Sequence, residues 1–183
     1  MKLIGMKKSK DGKYLKNYEL TYLNKSGNEK VYEIVSRKDM ISPEELGKKV
    51  SGVTIIATCN DKLLLLKEFR MGINRAIYNL CAGMLELDED IEECIRRELY
   101  EETGLNLVSI IDILPPSFSA VTISDIKTQI VFAEVNGKIE DHTSDNESID
   151  ADLYTKEEIR HLLMTEEFSA RAQLAAYFFL KIT

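Results

Sequence analysis

Residues 90–103 read as a single helix stopped by Gly104, and the face this helix has to bury turns acidic at one end. At about 100° per residue, Ile91, Cys94, Ile95 and Leu99 share one apolar stripe. Glu98 and Glu102 fall in the middle of that stripe, and Glu101 flanks it. Three costs follow. Like charges at i,i+4 repel by about 0.2–0.5 kcal/mol even when exposed. Acidic groups in a last turn oppose the helix dipole, at about 0.3–1 kcal/mol each. An unpaired carboxylate taken out of water costs several kcal/mol more. A bound divalent cation offsets all three. The plain alternative is a solvated acidic face partnered by Arg96 and Arg97. On the helical projection, however, Arg96 points away from the acids and Arg97 reaches one of them at best. Carboxylate ligands without His or Cys favour magnesium over zinc.

A chain of 183 residues that is 44% apolar can bury one full core plus an accessory segment. Cys59, Cys81 and Cys94 have no metal-ligand spacing, so they read as buried free thiols in a reducing compartment. No apolar run approaches a membrane span and no apolar signal core follows Met1, so a cytoplasmic protein without membrane contact is expected. The net charge of −7 argues against nucleic acid as the main partner. The charge is uneven: residues 1–50 carry 12 Lys/Arg against 7 Asp/Glu. That basic start suits a partner subunit or an anionic ligand, and suits a merely solvated arm equally well.

Two β-rich runs, 17–23 and 29–36, flank a turn-forming 24–28 and read as a hairpin. Ser42-Pro43-Glu44-Glu45 opens a short helix. Strands are expected at 53–57, 63–69, 107–114 and 128–135, with a tight turn at Asn60-Asp61 and a polar loop over 138–148. Thr155-x-x-Glu158 caps one further helix, and 170–181 reads as an amphipathic last one. The organisation is α/β, with a β arm over residues 1–45 and a larger domain over 46–183.

The run Gly83-x5-Glu89-x7-Arg97-Glu98-Leu99-x-Glu101-Glu102-x-Gly104-Leu105 resembles the Nudix box at nine specified positions over 23 residues. The resemblance implies a Nudix fold: a mixed β-sheet sandwiched between α-helices, here with a small N-terminal antiparallel β arm. It implies Mg2+, with Mn2+ as a possible substitute, held by Glu98 and Glu102, assisted by Glu101 and by the Ala82 carbonyl beside Gly83. Arg97 would orient a box carboxylate, Glu89 by position. Outside the box the chain looks like the ADP-ribose pyrophosphatase branch. Leu65-Leu66-Lys67-Glu68-Phe69-Arg70 resembles its strand ending in a substrate-binding arginine. Ala82-Gly83-Met84-Leu85-Glu86 resembles its entry to the box, and 32–37 resembles its N-terminal strand.

By the same likeness Tyr32 would stack on a base, with Arg37 a further substrate contact. Asp145 and Glu147 sit where the branch places a catalytic base and, for Glu147, another metal ligand. The branch forms homodimers through crossed N-terminal segments, which implies the same use for the arm. The implied reaction is hydrolysis of a nucleoside diphosphate linked to X, ADP-ribose or a related nucleotide sugar, to a nucleoside monophosphate and a sugar phosphate. The alternative is a nucleotide-sensing module that does not cleave. Val121-Thr122 stands where the branch usually has proline then glycine, a departure that bears on the sugar side and leaves the box intact.

Overall fold

The computed structural model describes residues 1–181, which fall into two units. The first comprises Met1–Ser51 and Pro116–Thr128. Its strands β1 (Lys2–Asp11), β2 (Lys16–Leu23) and β3 (Glu29–Ser36) make an antiparallel sheet in the order β1-β2-β3. Tyr18, Leu20, Ile34 and Met40 close a small core, with Leu3 and Met6 of β1 packed on it. The hairpin of β2 and β3 is as expected, but β1 was not legible. Its lysines mask a period-two pattern and mark an edge strand, where charge discourages further pairing. The helix expected at Ser42 is only a 3-10 turn, Pro43–Glu45. The Glu45 carboxylate accepts from the backbone N–H of Ile41 and of Ser42, both at 3.0 Å. Residues 116–128 group with this unit. Ile123 accepts from the Val35 N–H at 2.8 Å, and Lys127 from the Ser51 N–H at 2.7 Å.

The second unit, Gly52–Pro115 with Gln129–Thr183, is built on the larger, mixed sheet. Among the described residues this sheet has eight strands, β4 (Gly52–Cys59), β5 (Lys62–Arg70), β6 (Arg75–Asn79), β7 (Cys81–Met84), β8 (Asn106–Ile113), β9 (Ser117–Phe118), β10 (Lys127–Asn136) and β11 (Ile149–Tyr154), five of which follow one another in the order β11-β5-β4-β10-β8. Strand β6 pairs with β5, β7 with β4 and β9 with β10. Asn60 and Asp61 take φ of 47° and 60°, the left-handed pair that a two-residue hairpin turn needs.

Leu63, Leu64, Leu65 and Leu66 are all buried, because β5 is covered on both faces. Leu64 and Leu66 meet α1 (Ile91–Thr103) through Cys94, Ile95 and Leu99. Leu63 and Leu65 meet α2 (Lys156–Thr165) and α3 (Ala170–Phe179) through Ile159, Ala172, Ala176 and Phe179. Each such leucine is worth about 1.5–3 kcal/mol of burial, so the four fix β5 as the central layer. The amphipathic reading of the last helix is corrected. Ala172, Ala176 and Phe179 are buried, but Leu174, Tyr177 and Phe178 lie on the surface, so apolar residues run all round it. Among the described residues no helix is long and apolar enough to cross a membrane.

Candidate active site

Helix α1 is fixed at both ends. Asp90 Oδ1 accepts from the Glu93 N–H at 2.9 Å, and Glu93 Oε2 accepts from the Asp90 N–H at 3.0 Å. At the other end Gly104 sits at φ 73°, the left-handed cap that ends a helix with least strain in glycine. Cys94, Ile95 and Leu99 are wholly buried, and Glu98 is only 8% exposed. Glu102 is partly buried and Glu101 lies in solvent. The acidic end of the helix therefore does face inward.

Two carboxylates bear the consequence. Burial pushes the Glu98 carboxyl above its ordinary range, against the pull of Arg97. Glu102 is pushed up to about 8, first by burial and then by repulsion from Glu98 and Glu68. Contacts with Cys81 and with the Ala82 N–H, which donates to Glu102 at 3.1 Å, offset this only in part. In the folded chain without a cation, ionising Glu102 is therefore unfavourable.

Arg97 does more than the helical projection allows, which corrects the expectation that it reaches a single acid. Its Nε and Nη2 grip Glu89 at 2.7 and 2.9 Å, and its Nη1 reaches Glu98 at 2.7 Å and Glu101 at 3.1 Å. A further bond of 3.0 Å runs from Nη2 to the Met84 carbonyl. The long side chain sweeps back over the loop before α1, a reach that a projection of Cα positions does not contain. The fork holds the Glu89 carboxyl down to about 2.

Strand β7 brings the preceding loop against this helix, pairing Thr54 with Ala82 and Val53 with Gly83. A Cβ at Gly83 would land inside the Glu98 carboxyl group. Only glycine lets the strand pass so close to that side chain. Gly83→Ala is expected to displace the Glu98 carboxyl rather than the backbone. Any activity should fall by about 100-fold or more, with a melting temperature near wild type; normal turnover in the variant would show that this approach has no catalytic use.

At the end of β5, Glu68 pairs with Arg70 and accepts from Asn79 Nδ2 at 2.9 Å. A hollow of about 280 Å³ is lined by Glu68, Phe69, Arg70, Met71, Asn146 and Glu147, among others. The loop 137–148 thus brings Glu147 beside Arg70. Asp145 is exposed and does not line that hollow. Glu147 accepts from the Ser144 hydroxyl at 3.0 Å. Glu68 escaped the sequence reading, although β alternation alone puts it on the face of Arg70. Tyr32 and Arg37 belong to the N-terminal unit. The Tyr32 hydroxyl donates to the Thr122 carbonyl at 2.6 Å, and Arg37 lines a cavity of about 290 Å³ with Lys38, Lys48 and Lys49.

Among the described residues no three His, Cys, Asp or Glu side chains are already gathered to hold an ion. Glu98 leans to Arg97, and Glu102 to the Ala82 N–H. The donor chemistry nonetheless fits a hard divalent cation: clustered carboxylate oxygens, partly desolvated, that share one arginine.

The chain matches the NUDIX domain family over residues 48–177. It is 38% identical over 64 residues to an ADP-ribose pyrophosphatase of Bacillus subtilis (strain 168), covering 34% of this chain and 35% of that one. An ADP-ribose pyrophosphatase of Saccharomyces cerevisiae is 27% identical over 137 residues, 72% of this chain and 57% of that one. An ADP-sugar pyrophosphatase of Mus musculus is 27% identical over 135 residues, 69% and 58% of the two chains. The alignments span between about a third and 58% of the length of these relatives. A solved structure described as an ADP compounds hydrolase superposes with a TM-score of 0.75 at 18% identity, over 98% of this chain and 91% of that one. That likeness concerns the fold, which is the α/β Nudix fold. The chain belongs to the NUDIX family.

Proposed function

We propose that this protein is a Mg2+-dependent pyrophosphohydrolase. It splits the diphosphate of a nucleoside diphosphate linked to X, with ADP-ribose or a related nucleotide sugar as substrate. The products are a nucleoside monophosphate and a sugar phosphate. The observation that carries the reading is the pair Glu98 and Glu102, drawn inward at the end of α1, with Glu98 sharing Arg97 with two other carboxylates and Glu102 facing no cation among the described residues.

Glu98 and Glu102, with Glu101 and the Ala82 carbonyl, would hold the cation, and Mn2+ would serve in place of Mg2+. Once bound, the ion neutralises phosphate charge and lowers the pKa of water. The chain's own residues do the rest. Arg97 fixes the box loop to the helix through Glu89 and so sets where the Glu98 carboxyl stands. Arg70 offers a guanidinium fork to a phosphate. Glu147, in the hollow with Arg70, takes the proton of the attacking water or serves as a further ligand with Asp145 as the base; its lining of that hollow supports Glu147 as the base.

Tyr32 and Arg37, in the N-terminal unit, are assigned to the base and to substrate contact, and that unit to homodimer formation. The β arm over 1–45 would act there beside the domain over 46–183. Three free thiols agree with a cytoplasmic setting.

Purified protein with Mg2+ and a panel of ADP-ribose, sugar nucleotides and dinucleotides should release monophosphates that a phosphatase can attack. Binding without turnover would point to the sensing alternative. In sedimentation equilibrium the full chain should weigh twice its 20.9 kDa; a monomer at micromolar concentration would overturn the dimer.

A further inference from the structure

Helix α3 is pinned to the sheet by its first turn. Its cap Ser169 donates through Oγ to Asn79 Oδ1 at 2.8 Å, and its N–H donates to the Tyr78 carbonyl at 2.9 Å. Asn79 in turn holds Glu68, which holds Arg70. One hydrogen-bonded chain therefore runs from the start of α3 through β6 to the arginine at the end of β5.

Arg171 stands on that same turn. Its Nη1 donates to Thr54 Oγ1 at 2.8 Å. Thr54 is buried and is the cross-strand partner of Ala82, whose N–H holds Glu102. Arg171 is thus bonded to the strand next to the one whose backbone holds Glu102.

Among the described residues Arg171 has one hydrogen-bond partner, and that partner is neutral. A guanidinium carries five donors. The carboxylates of the neighbourhood are committed elsewhere: Glu68 to Arg70 and Asn79, Glu166 to Lys67, Glu167 to Arg75. Burial, and then the like charge of Arg70, pull the pKa of Arg171 down. Its side chain is still open to solvent. A cation with donors to spare, on the turn that the chain through Asn79 and Glu68 ties to Arg70, is arranged for an anion that accepts from both arginines.

We propose that Arg171 is a substrate-binding residue that grips the phosphate oxygens of the diphosphate together with Arg70. This rests on the hydrolase reading above. It gives the C-terminal helix a place in the site, beyond its role in covering the sheet.

The contrasting role is structural, a strut from α3 to β4 through Thr54. Three variants separate the two: Arg171→Ala, Arg171→Lys and Thr54→Val. Affinity is read by titrating inorganic pyrophosphate, which carries the group common to every candidate substrate, in the presence of Mg2+. KM, kcat and the melting temperature are read alongside. Losing a charge-assisted bond should weaken pyrophosphate binding and raise KM by about ten- to a hundredfold in Arg171→Ala, with kcat changed less. Arg171→Lys should recover part of the loss, and Thr54→Val should leave both constants near wild type.

Wild-type affinity in Arg171→Ala, or equal losses in Arg171→Ala and Thr54→Val that track a lowered melting temperature, would overturn the assignment while the hydrolase reading stands. A wild-type protein that neither binds pyrophosphate nor cleaves any member of the panel would overturn the hydrolase reading, and this one with it.

Discussion

Glu98→Gln is expected to lower turnover by about a thousandfold or more, equivalent to roughly 4 kcal/mol of barrier, in a protein that stays folded. Glutamine keeps the shape of the side chain and removes the charge. The geometry around position 98 explains why the fold should survive. The carboxyl is buried, and burial pushes it toward the neutral form against the pull of Arg97, so its charge contributes little to the fold. Arg97 loses one acceptor but keeps Glu89 in a two-point grip, the Met84 carbonyl and Glu101. Its loop is still tied to the helix. Melting temperature should move by only a few degrees, while the steady-state rate on the best substrate collapses. Glu101→Gln is the internal comparison: the side chain is exposed, and its loss should cost far less. Turnover near wild type in Glu98→Gln would remove this residue from the site.

Which parts of this arrangement were legible in the sequence follows from what each part depends on. The inward acidic face was, because helical periodicity is local and Cys94, Ile95 and Leu99 set the reference for Glu98 and Glu102. The stops were too: Gly104, the Asn60-Asp61 turn and the Thr155 cap are short-range chemistry. The reach of Arg97 was not, since it depends on a loop folding back to put Glu89 and Met84 beside the helix.

The tight approach of Gly83 to Glu98 was equally hidden, being a contact between residues 15 apart that only the pairing of β7 with β4 creates. Strand β7 lay unseen inside the motif, and β11 unseen because Asp150 and Asp152 alternate with apolar neighbours at an acidic segment's end. Residues 116–128 carry no pattern that says what they meet: Ser117 and Phe118 pair with Thr128 and Lys127, while Val35 and Ser51 bond to Ile123 and Lys127. Arg171 was passed over for a simpler reason. A lone arginine on an apolar helix reads as surface until Thr54 and Arg70 are placed around it.

Glu102→Gln should move activity and stability in opposite directions. Turnover is expected to fall by about 100- to 1000-fold, as a cation ligand loses its charge. Without divalent ions, the same variant should be more stable than wild type at alkaline pH. The sign follows from the carboxyl of Glu102, which burial and the nearby Glu98 raise from 4.5 to about 8. Between those values the folded protein binds a proton that the unfolded chain has released, so stability falls as pH rises through the window and levels off above it. A shift of this size corresponds to about 2–5 kcal/mol at pH 9. Glutamine carries no such charge and can still accept from the Ala82 N–H. For a chain of this length that difference is a rise of about 5–10 °C in melting temperature. At pH 4 a protonated Glu102 resembles glutamine and the two proteins should melt together. Adding Mg2+ at pH 9 should close the gap from the other side, by stabilising wild type more than the variant. A variant less stable than wild type at pH 9 in chelator would show that the Glu102 charge is compensated within the folded chain, and the need for a cation at this helix end would disappear with it.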